Sequence, residues 1–231
     1  MNRVKQGKTW VVTIDGPAAS GKTSVSRLVA ESFGWSWVST GAFYRGLAYV
    51  ALREGIDMTS AQELAVLSAA ALWEVKMTAQ QTEVWYRGSN VTQLIGDEQV
   101  GHYASQISQY PAVREALLAG QRSCAQAGLS LVAEGRDCGT VVFPEADLKV
   151  YLTAHSANRA ERRALEQGTD VAETRRLQLV RDQRDSSRQA SPLQIPENAL
   201  VIDTSAMRLE EVVEQVVARI HQQLGVRNER D

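Results

Sequence analysis

The sequence has few cysteines and no long apolar run. Only Cys124 and Cys138 occur in 231 residues, at a spacing that matches neither a zinc motif nor a CxxC redox pair. Both are therefore expected to be ordinary reduced side chains. No stretch approaches the ~18 apolar residues of a membrane span, and the N-terminal MNRVKQGK is too polar for a signal peptide. We expect a cytoplasmic protein with no membrane partner.

An excess of charge of one sign is also missing. Lys and Arg total 25 and Asp and Glu total 27, which gives a formal net charge of −2. A protein that coats nucleic acid ordinarily carries a strong positive excess, so no nucleic-acid partner is expected and any basic site must be local. The 44% of apolar residues suffices for one core with a small insertion or lid. We therefore expect a single domain over residues 1–231.

Short apolar or β-branched runs alternate with helical periodicity along the chain. This alternation is typical of βα units on a parallel sheet, so the sequence predicts an α/β fold with flanking helices. The predicted strands are WVVTI (10–14), WSWVS (35–39), LSLVA (129–133), LKVYL (148–152) and ALVI (199–202). The helical patterns are SVSRLVAESF, FYRGLAYVAL, DEQVGHYASQIS, VREALLAGQRSCAQA, ANRAERRALEQ and LEEVVEQVVARIHQQL.

Two regions depart from this alternation. Residues 73–92 predict short antiparallel strands joined by polar turns, hence a small β insertion. Residues 155–190 are rich in Arg, Gln and Asp, which favours a mobile helical lid. The expected core then comprises residues 8–60, 110–154 and 195–225, with an acceptor-binding region at 61–109.

The segment GPAASGKTS lies between the first strand and a helix and matches the phosphate-loop pattern G-x-x-x-x-G-K-[ST]. Such a loop turns backbone N–H groups toward an anion at the positive end of the following helix. Lys22 is expected to reach the β and γ phosphates, and the Thr23 hydroxyl to ligate Mg²⁺. The expected ATP-binding residues are Gly16, Pro17, Ala18, Ala19, Ser20, Gly21, Lys22, Thr23 and Ser24. The loop alone leaves open whether the γ phosphate passes to water, as in a switch, or to a second substrate.

Two further motifs follow predicted strands, where ligands bind in open α/β sheets. STGAFYR comes after the second strand, and its Arg45 can clamp a phosphate, although an N-capping Thr40 beside a surface Arg45 is equally compatible. EGRDCGT comes after the third strand, and its closely spaced charges suit a functional edge rather than a buried strand.

These motifs, together with RDQRDSSR at 181–188, resemble bacterial cytidylate kinases, which are P-loop nucleoside monophosphate kinases. The resemblance covers about residues 10–220 and includes the β insertion. It implies phosphorylation of CMP and dCMP with ATP and Mg²⁺. The residues that it implies for the acceptor are Thr40, Tyr44, Arg45, Ser105, Arg114, Arg136, Asp137, Arg181, Asp185 and Arg188. The catalytic charges would come from Lys22, Arg136, Arg181 and Arg188.

Within that set, Arg45 and Arg136 are implied to hold the acceptor phosphate. Ser105, Arg114 and Asp137 are implied to read the base, and they suit cytosine, because its N4 group donates while N3 and O2 accept. Arg162 matches a lid arginine on the ATP side, and Arg159 and Arg163 are its close neighbours in the sequence.

The lid motif places Arg181, Arg184 and Arg188 on one helical face, at i, i+3 and i+7. Closure would bring such arginines onto the transferred phosphoryl group and expel water. An exposed lattice of ion pairs with Asp185 is the open alternative.

Two positions differ from the common family pattern: Ser39 and Glu134 stand where many members have Asp. Glu134 can still hold Mg²⁺ through a water, whereas Ser39 cannot supply a carboxylate's charge. The alternatives that the residues leave open are another small-molecule kinase, acting on UMP or shikimate, and an ATP-dependent switch. A monomer is expected.

Overall fold

The computed structural model of the protein describes residues 8–78, 81–126, 128–188 and 190–226. Residues 1–7, where no signal peptide is predicted, lie outside this range. So do residue 127, at the end of a predicted helix, and residue 189, within the predicted lid.

A five-stranded parallel sheet forms the centre of the fold. Its strands are β1 (Val11–Asp15), β2 (Ser36–Ser39), β6 (Leu131–Gly135), β7 (Leu148–Thr153) and β8 (Leu200–Asp203). They lie in the order β2-β6-β1-β7-β8, and every neighbouring pair is parallel. All five strands fall within two residues of the predicted runs, and the α/β fold class is confirmed.

Helices cover both faces of the sheet. They are α1 (Lys22–Phe33), α2 (Gly41–Glu54), α3 (Ala61–Ser68), α4 (Glu98–Ile107), α5 (Pro111–Ser123), α6 (Ser156–Gln167), α7 (Val171–Ser187) and α8 (Leu209–Leu224). One apolar cluster joins the sheet to α1 and α8. A second cluster joins it to α2, α3, α4 and α5. The sheet is therefore buried on both sides, as its apolar strands require.

The sequence reasoning did not predict α3, although a local signal for this helix exists. Ser60 accepts a hydrogen bond from the Glu63 N–H and donates one to the Glu63 carboxylate, at 3.4 and 2.9 Å. The first of these bonds satisfies the Glu63 N–H, one of the groups that the first turn of a helix leaves unpaired. The Ser60–Glu63 pair in the sequence therefore indicates where α3 begins.

The β insertion forms a separate antiparallel sheet. Its strands are β3 (Trp73–Met77), β4 (Thr82–Tyr86) and β5 (Ser89–Asn90), so the insertion predicted at 73–92 is confirmed. The sheet packs directly on α2 at Gly46, where an added Cβ would lie 2.9 Å from Trp73 and 3.0 Å from Val84. The insertion therefore shares the apolar cluster of the main domain.

Helices α6 and α7 form the helical segment expected between residues 155 and 190. The buried residues of α7 are polar: Thr174, Gln178 and Asp185. This helix therefore docks through hydrogen bonds and charge more than through apolar burial. Among the described residues, no helix has both the length and the apolar character needed to cross a membrane.

Candidate active site

The carboxyl ends of three adjacent strands bring the sequence motifs together. The phosphate loop follows β1, Thr40 follows β2, and Arg136 and Asp137 follow β6, which lies between the other two strands. One cleft opens at this edge of the sheet. The residues that line it are Ala18, Ala19, Lys22, Thr23, Ser39, Thr40, Gly41, Tyr44, Arg45, Ala104, Ser105, Ser108, Glu134, Gly135, Arg136, Asp137, Arg163, Arg181, Asp185 and Arg188.

The phosphate loop turns sharply between β1 and α1. Gly16 has φ 147°, and a Cβ there would lie 2.0 Å from the Leu152 carbonyl oxygen, so only glycine fits. Gly21, at the start of α1, has φ 88°. Lys22 is 5% exposed, and its ammonium donates a 2.6 Å hydrogen bond to the Pro17 carbonyl. Of the predicted ATP-binding residues, Ala18, Ala19, Lys22 and Thr23 line the cleft.

Three oxygen-bearing side chains meet beside this loop. The Glu134 carboxylate accepts hydrogen bonds from Ser39 Oγ at 2.5 Å and from Thr23 Oγ1 at 3.2 Å. Hydroxyl and carboxylate oxygens are the ligands that Mg²⁺ prefers, directly or through water, so this set fits the predicted metal. The Ser39 hydroxyl contributes a hydrogen bond to Glu134 in place of a second carboxylate.

Five arginines surround the cleft between the phosphate loop and α4: Arg45, Arg136, Arg163, Arg181 and Arg188. Arg45 is held by the backbone, because its guanidinium donates to the Ile95 carbonyl at 2.6 Å and to the Asp97 carbonyl at 3.2 Å. Arg136 donates to Asp185 at 2.8 Å.

Positively charged side chains outnumber negatively charged ones in the lining of this cleft. Burial, together with the charges of Arg136 and Arg181, lowers the pKa of Lys22 to about 7. Burial and the charge of Arg136 lower the pKa of Arg181 to about 9. Although burial opposes it, the charges of Arg136, Arg188 and Arg181 hold the pKa of the Asp185 carboxyl below its usual value. The cations thus disfavour one another's charged state, and a bound polyphosphate would relieve this repulsion.

A second group of residues lies at the base of α4 and α5. Arg114, 8% exposed, forms a buried ion pair with Asp137 and donates a 3.1 Å hydrogen bond to the Ser108 carbonyl. The Arg114 guanidinium also lies 5.5 Å from the ring centre of Tyr44. Within the described residues, the buried Ser105 hydroxyl has no hydrogen-bond partner. Ser105 and Asp137 both line the cleft, whereas Arg114 does not line it and is joined to it through its ion pair with Asp137.

Some predicted residues lie elsewhere, and others were missed. Arg162 does not line the cleft; it donates to the hydroxyl of Thr204 at 3.0 Å and to the carbonyl of the same residue at 2.5 Å. Its neighbour Arg163 lines the cleft instead. Arg159 is buried against Asp182 and the phosphate loop. Helical spacing alone does not give this division, because Arg162 and Arg163 lie at i+3 and i+4 from Arg159 and both of these positions fall close to the face of residue i.

Comparison with known proteins assigns most of the chain to a single family. The family model described as cytidylate kinase matches residues 12–222. A cytidylate kinase from Bdellovibrio bacteriovorus is 54% identical over 207 residues, which cover 90% of this chain and 95% of that protein. A cytidylate kinase from Aeromonas hydrophila is 43% identical over 220 residues, covering 93% of this chain and 95% of its own.

The fold also matches solved structures of low sequence identity. A gluconokinase from Sinorhizobium meliloti superposes with a TM-score of 0.51 at 17% identity, covering 94% of this chain and 96% of its own. An uncharacterized protein from Eubacterium ventriosum gives a TM-score of 0.53 at 12% identity, covering 92% of this chain and 98% of its own. These two similarities concern the fold alone.

Proposed function

Because the chain belongs to the cytidylate kinase family, it is a nucleoside monophosphate kinase that phosphorylates CMP and dCMP, and we propose that the cleft described above is where it does so. ATP is the phosphoryl donor, with its phosphates in the loop from Gly16 to Thr23. The acceptor nucleotide lies across the carboxyl ends of β2 and β6, between Arg45 and Asp137. The two phosphate sites then face each other across Lys22 and Arg136.

The observation that carries this assignment is the second group of cations beside the phosphate loop. A protein that only hydrolyses ATP needs charge around one polyphosphate, whereas transfer between two nucleotides needs charge around both. Arg45, fixed by two backbone carbonyls, and Arg188, paired with Asp185 at 3.6 Å, lie on the acceptor side. Both line the same cleft as Lys22.

The acceptor group needs no strong general base, because a phosphate oxygen is already anionic near neutral pH. Catalysis then consists of positioning and charge stabilisation by Lys22, Arg136, Arg181 and Arg188. Thr23 would hold Mg²⁺ directly and Glu134 through a water, and the metal would neutralise charge on the donor phosphates. Helices α6 and α7 act as a lid that excludes water, which competes for the same phosphoryl group.

The base is read by Arg114, Asp137 and Ser105. The buried ion pair with Arg114 fixes the orientation of the Asp137 carboxylate, so it can accept from the cytosine N4 group beside the unpaired Ser105 hydroxyl. Uracil would present a carbonyl to these acceptors and would leave them unpaired. The base pocket therefore favours cytosine over uracil.

The test is initial ADP release from ATP and Mg²⁺ with CMP, dCMP, UMP, AMP, shikimate or no acceptor. Strong stimulation by CMP and dCMP, weak stimulation by UMP and none by shikimate is the expected result. Equal slow hydrolysis in every reaction would point to a switch and would overturn the acceptor site.

Arg45→Gln should raise the KM for CMP by at least tenfold, because it removes a charged hydrogen-bond donor from the acceptor phosphate.

The protein acts in the cytoplasm as a monomer, without a nucleic-acid or membrane partner. The near-neutral net charge of −2 and the small number of cysteines support this setting. Light scattering after size exclusion is the direct measurement, and a mass near 25.4 kDa is expected.

A further inference from the structure

Two buried side chains of the α6–α7 pair bind one carbonyl group of the phosphate loop. Arg159 Nη1 and Gln178 Nε2 each donate a hydrogen bond of 3.0 Å to the Ala18 carbonyl oxygen. Both side chains are 5% exposed. The contact therefore joins two separate helices to the same backbone atom, 141 and 160 residues away in sequence.

Arg159 is itself fixed on its other sides. Its Nε donates to the carbonyl of Ala154, the residue that follows β7, at 3.1 Å, and its guanidinium pairs with Asp182 of α7 at 2.6 Å. Arg159 is buried and Asp182 is partly buried, so removal of Asp182 would leave a buried charge without its partner. Arg159 consequently ties α6, α7 and the phosphate loop into one unit.

This contact also determines which way the next N–H group points. The peptide bond between Ala18 and Ala19 is planar and trans, so the Ala19 N–H lies opposite the Ala18 carbonyl. With the carbonyl directed at Arg159 and Gln178, the Ala19 N–H points away from α6 and α7. Ala19 also has φ 57°, a left-handed conformation that is unfavourable for a residue other than glycine. A flip of this peptide plane would change the direction of that N–H group, and the two hydrogen bonds to Ala18 oppose the flip.

We propose that Arg159 and Gln178 are positioning residues that hold the Ala18–Ala19 peptide with its N–H turned toward the donor phosphates. Docking of α6 and α7 on the loop would thereby prepare the ATP site before the acceptor binds. The inference rests on the proposed function in one respect, namely that ATP binds at this loop. It adds a coupling between the lid and the donor site, made by two side chains that are not themselves assigned to phosphate or base contact.

The first test uses Gln178→Met, which keeps the length of the side chain but removes its hydrogen-bond donor. We expect the Kd for MgATP, measured by calorimetry without acceptor, to rise roughly three- to tenfold, as for the loss of one buried hydrogen bond. The KM for CMP at saturating ATP should stay within about twofold, since Gln178 does not line the acceptor cleft. Arg176→Gln, an exposed substitution on the same helix, is the matched control and should change neither constant.

A backbone measurement separates this role from a general loss of structure. In ¹H–¹⁵N spectra, the Ala19 amide should shift in Gln178→Met without ligand, and its response to ATP should shrink, while amides of β8 keep their positions. Arg159→Lys is the second variant. It retains the positive charge but has fewer and differently directed donors, so it should weaken ATP binding in the same direction.

Either of two results would overturn the inference. The first is wild-type affinity for MgATP in a folded Gln178→Met, with an unmoved Ala19 amide. The second is an equal loss of ATP and CMP affinity in both variants, which would indicate general destabilisation. Absence of ATP binding by the wild-type protein would instead overturn the proposed function itself.

Discussion

Lys22 carries a charge that its own surroundings disfavour. Burial is the largest cause of its lowered pKa of about 7, and Arg136 adds to it. Above that pH most of the lysine is neutral in the ligand-free protein. A triphosphate favours the charged form and raises the pKa, so binding at pH 8 should take up close to one proton. The sign follows directly: affinity for ATP should fall as pH rises above about 7.

Calorimetry at pH 8 in buffers of different ionisation enthalpy measures this uptake. The slope of binding enthalpy against buffer ionisation enthalpy gives the number of protons. Lys22→Arg is the matched variant, since a guanidinium stays charged at this pH and should abolish the uptake. A slope of zero in the wild-type protein would contradict the argument.

Asp137 is the residue whose change should alter the choice of base. Asp137→Ala removes the proposed acceptor for the cytosine N4 group and leaves buried Arg114 without its ion-pair partner. We expect kcat/KM for CMP to fall by about 10- to 100-fold, consistent with the cost of unpaired buried polar groups. The affinity for ATP should be largely spared.

The decisive quantity is the ratio of kcat/KM for CMP to that for UMP, which should drop toward one in Asp137→Ala. An unchanged ratio would refute the base-reading role even if both rates fell. Asp137→Asn, of nearly equal size, serves as a control for packing, and it should also lower the ratio because it lacks the carboxylate charge.

At the scale of single elements, the position of α4 determines where Arg45 points. Gly101 of α4 lies against the Arg45 guanidinium, and an added Cβ would lie 2.7 Å from Nη2. Gly101→Ala should therefore displace Arg45 from the Ile95 and Asp97 carbonyls. Because the contact is with the end of a flexible side chain, we expect the protein to stay folded while the KM for CMP rises several-fold.

Steady-state kinetics together with a melting curve checks this expectation. Gly96→Ala is the matched control, because nothing lies within 4 Å of a Cβ at that position. If Gly101→Ala and Gly96→Ala gave the same KM for CMP, the link between α4 and Arg45 would be wrong.

Elements with a strong local pattern were predictable, and those whose position depends on packing were not. The runs that became β1 and β6 are short, rich in apolar and β-branched residues and bounded by turn residues, which favours strands buried in a parallel sheet. Helix α3 escaped prediction because Ala61–Ser68 exposes much of its surface and its capping pair was not considered. Sequence spacing also gave no reason to join Gln178 with Ala18, since their contact is produced by the docking of α7.

The site residues likewise differ in whether a local motif or the packing of elements determines their position. Residues within contiguous motifs, such as Lys22 and Arg136, could be assigned to one cleft, because parallel strands end at a common edge. Arg159 and Arg163 could not be told apart from Arg162 without knowing which face of α6 meets the loop. The hydrogen bond from Ser39 to Glu134 likewise depends on the neighbouring positions of β2 and β6.

For the whole molecule, apolar burial is unevenly distributed. The β insertion shares its cluster with α2 and α5, through Trp73 and Val84, so it should unfold together with the sheet. Helices α6 and α7 contribute to neither apolar cluster, and α7 exposes Leu177, Leu179 and Val180. Local opening free energies follow such differences in buried apolar contact.

Hydrogen exchange should therefore separate the lid from the rest of the protein. We expect amides of α6 and α7 to exchange by local opening, well before those of β1, β6 and β4, in the free protein at constant pH. CMP together with a non-hydrolysable ATP analogue should slow exchange in α7, because the proposed site has Arg181, Asp185 and Arg188 bind ligand. The insertion strands are the internal control and should exchange with the sheet in both states. If α7 exchanged only on global unfolding without ligand, the helix pair would be a fixed part of the core, and the lid mechanism would fail.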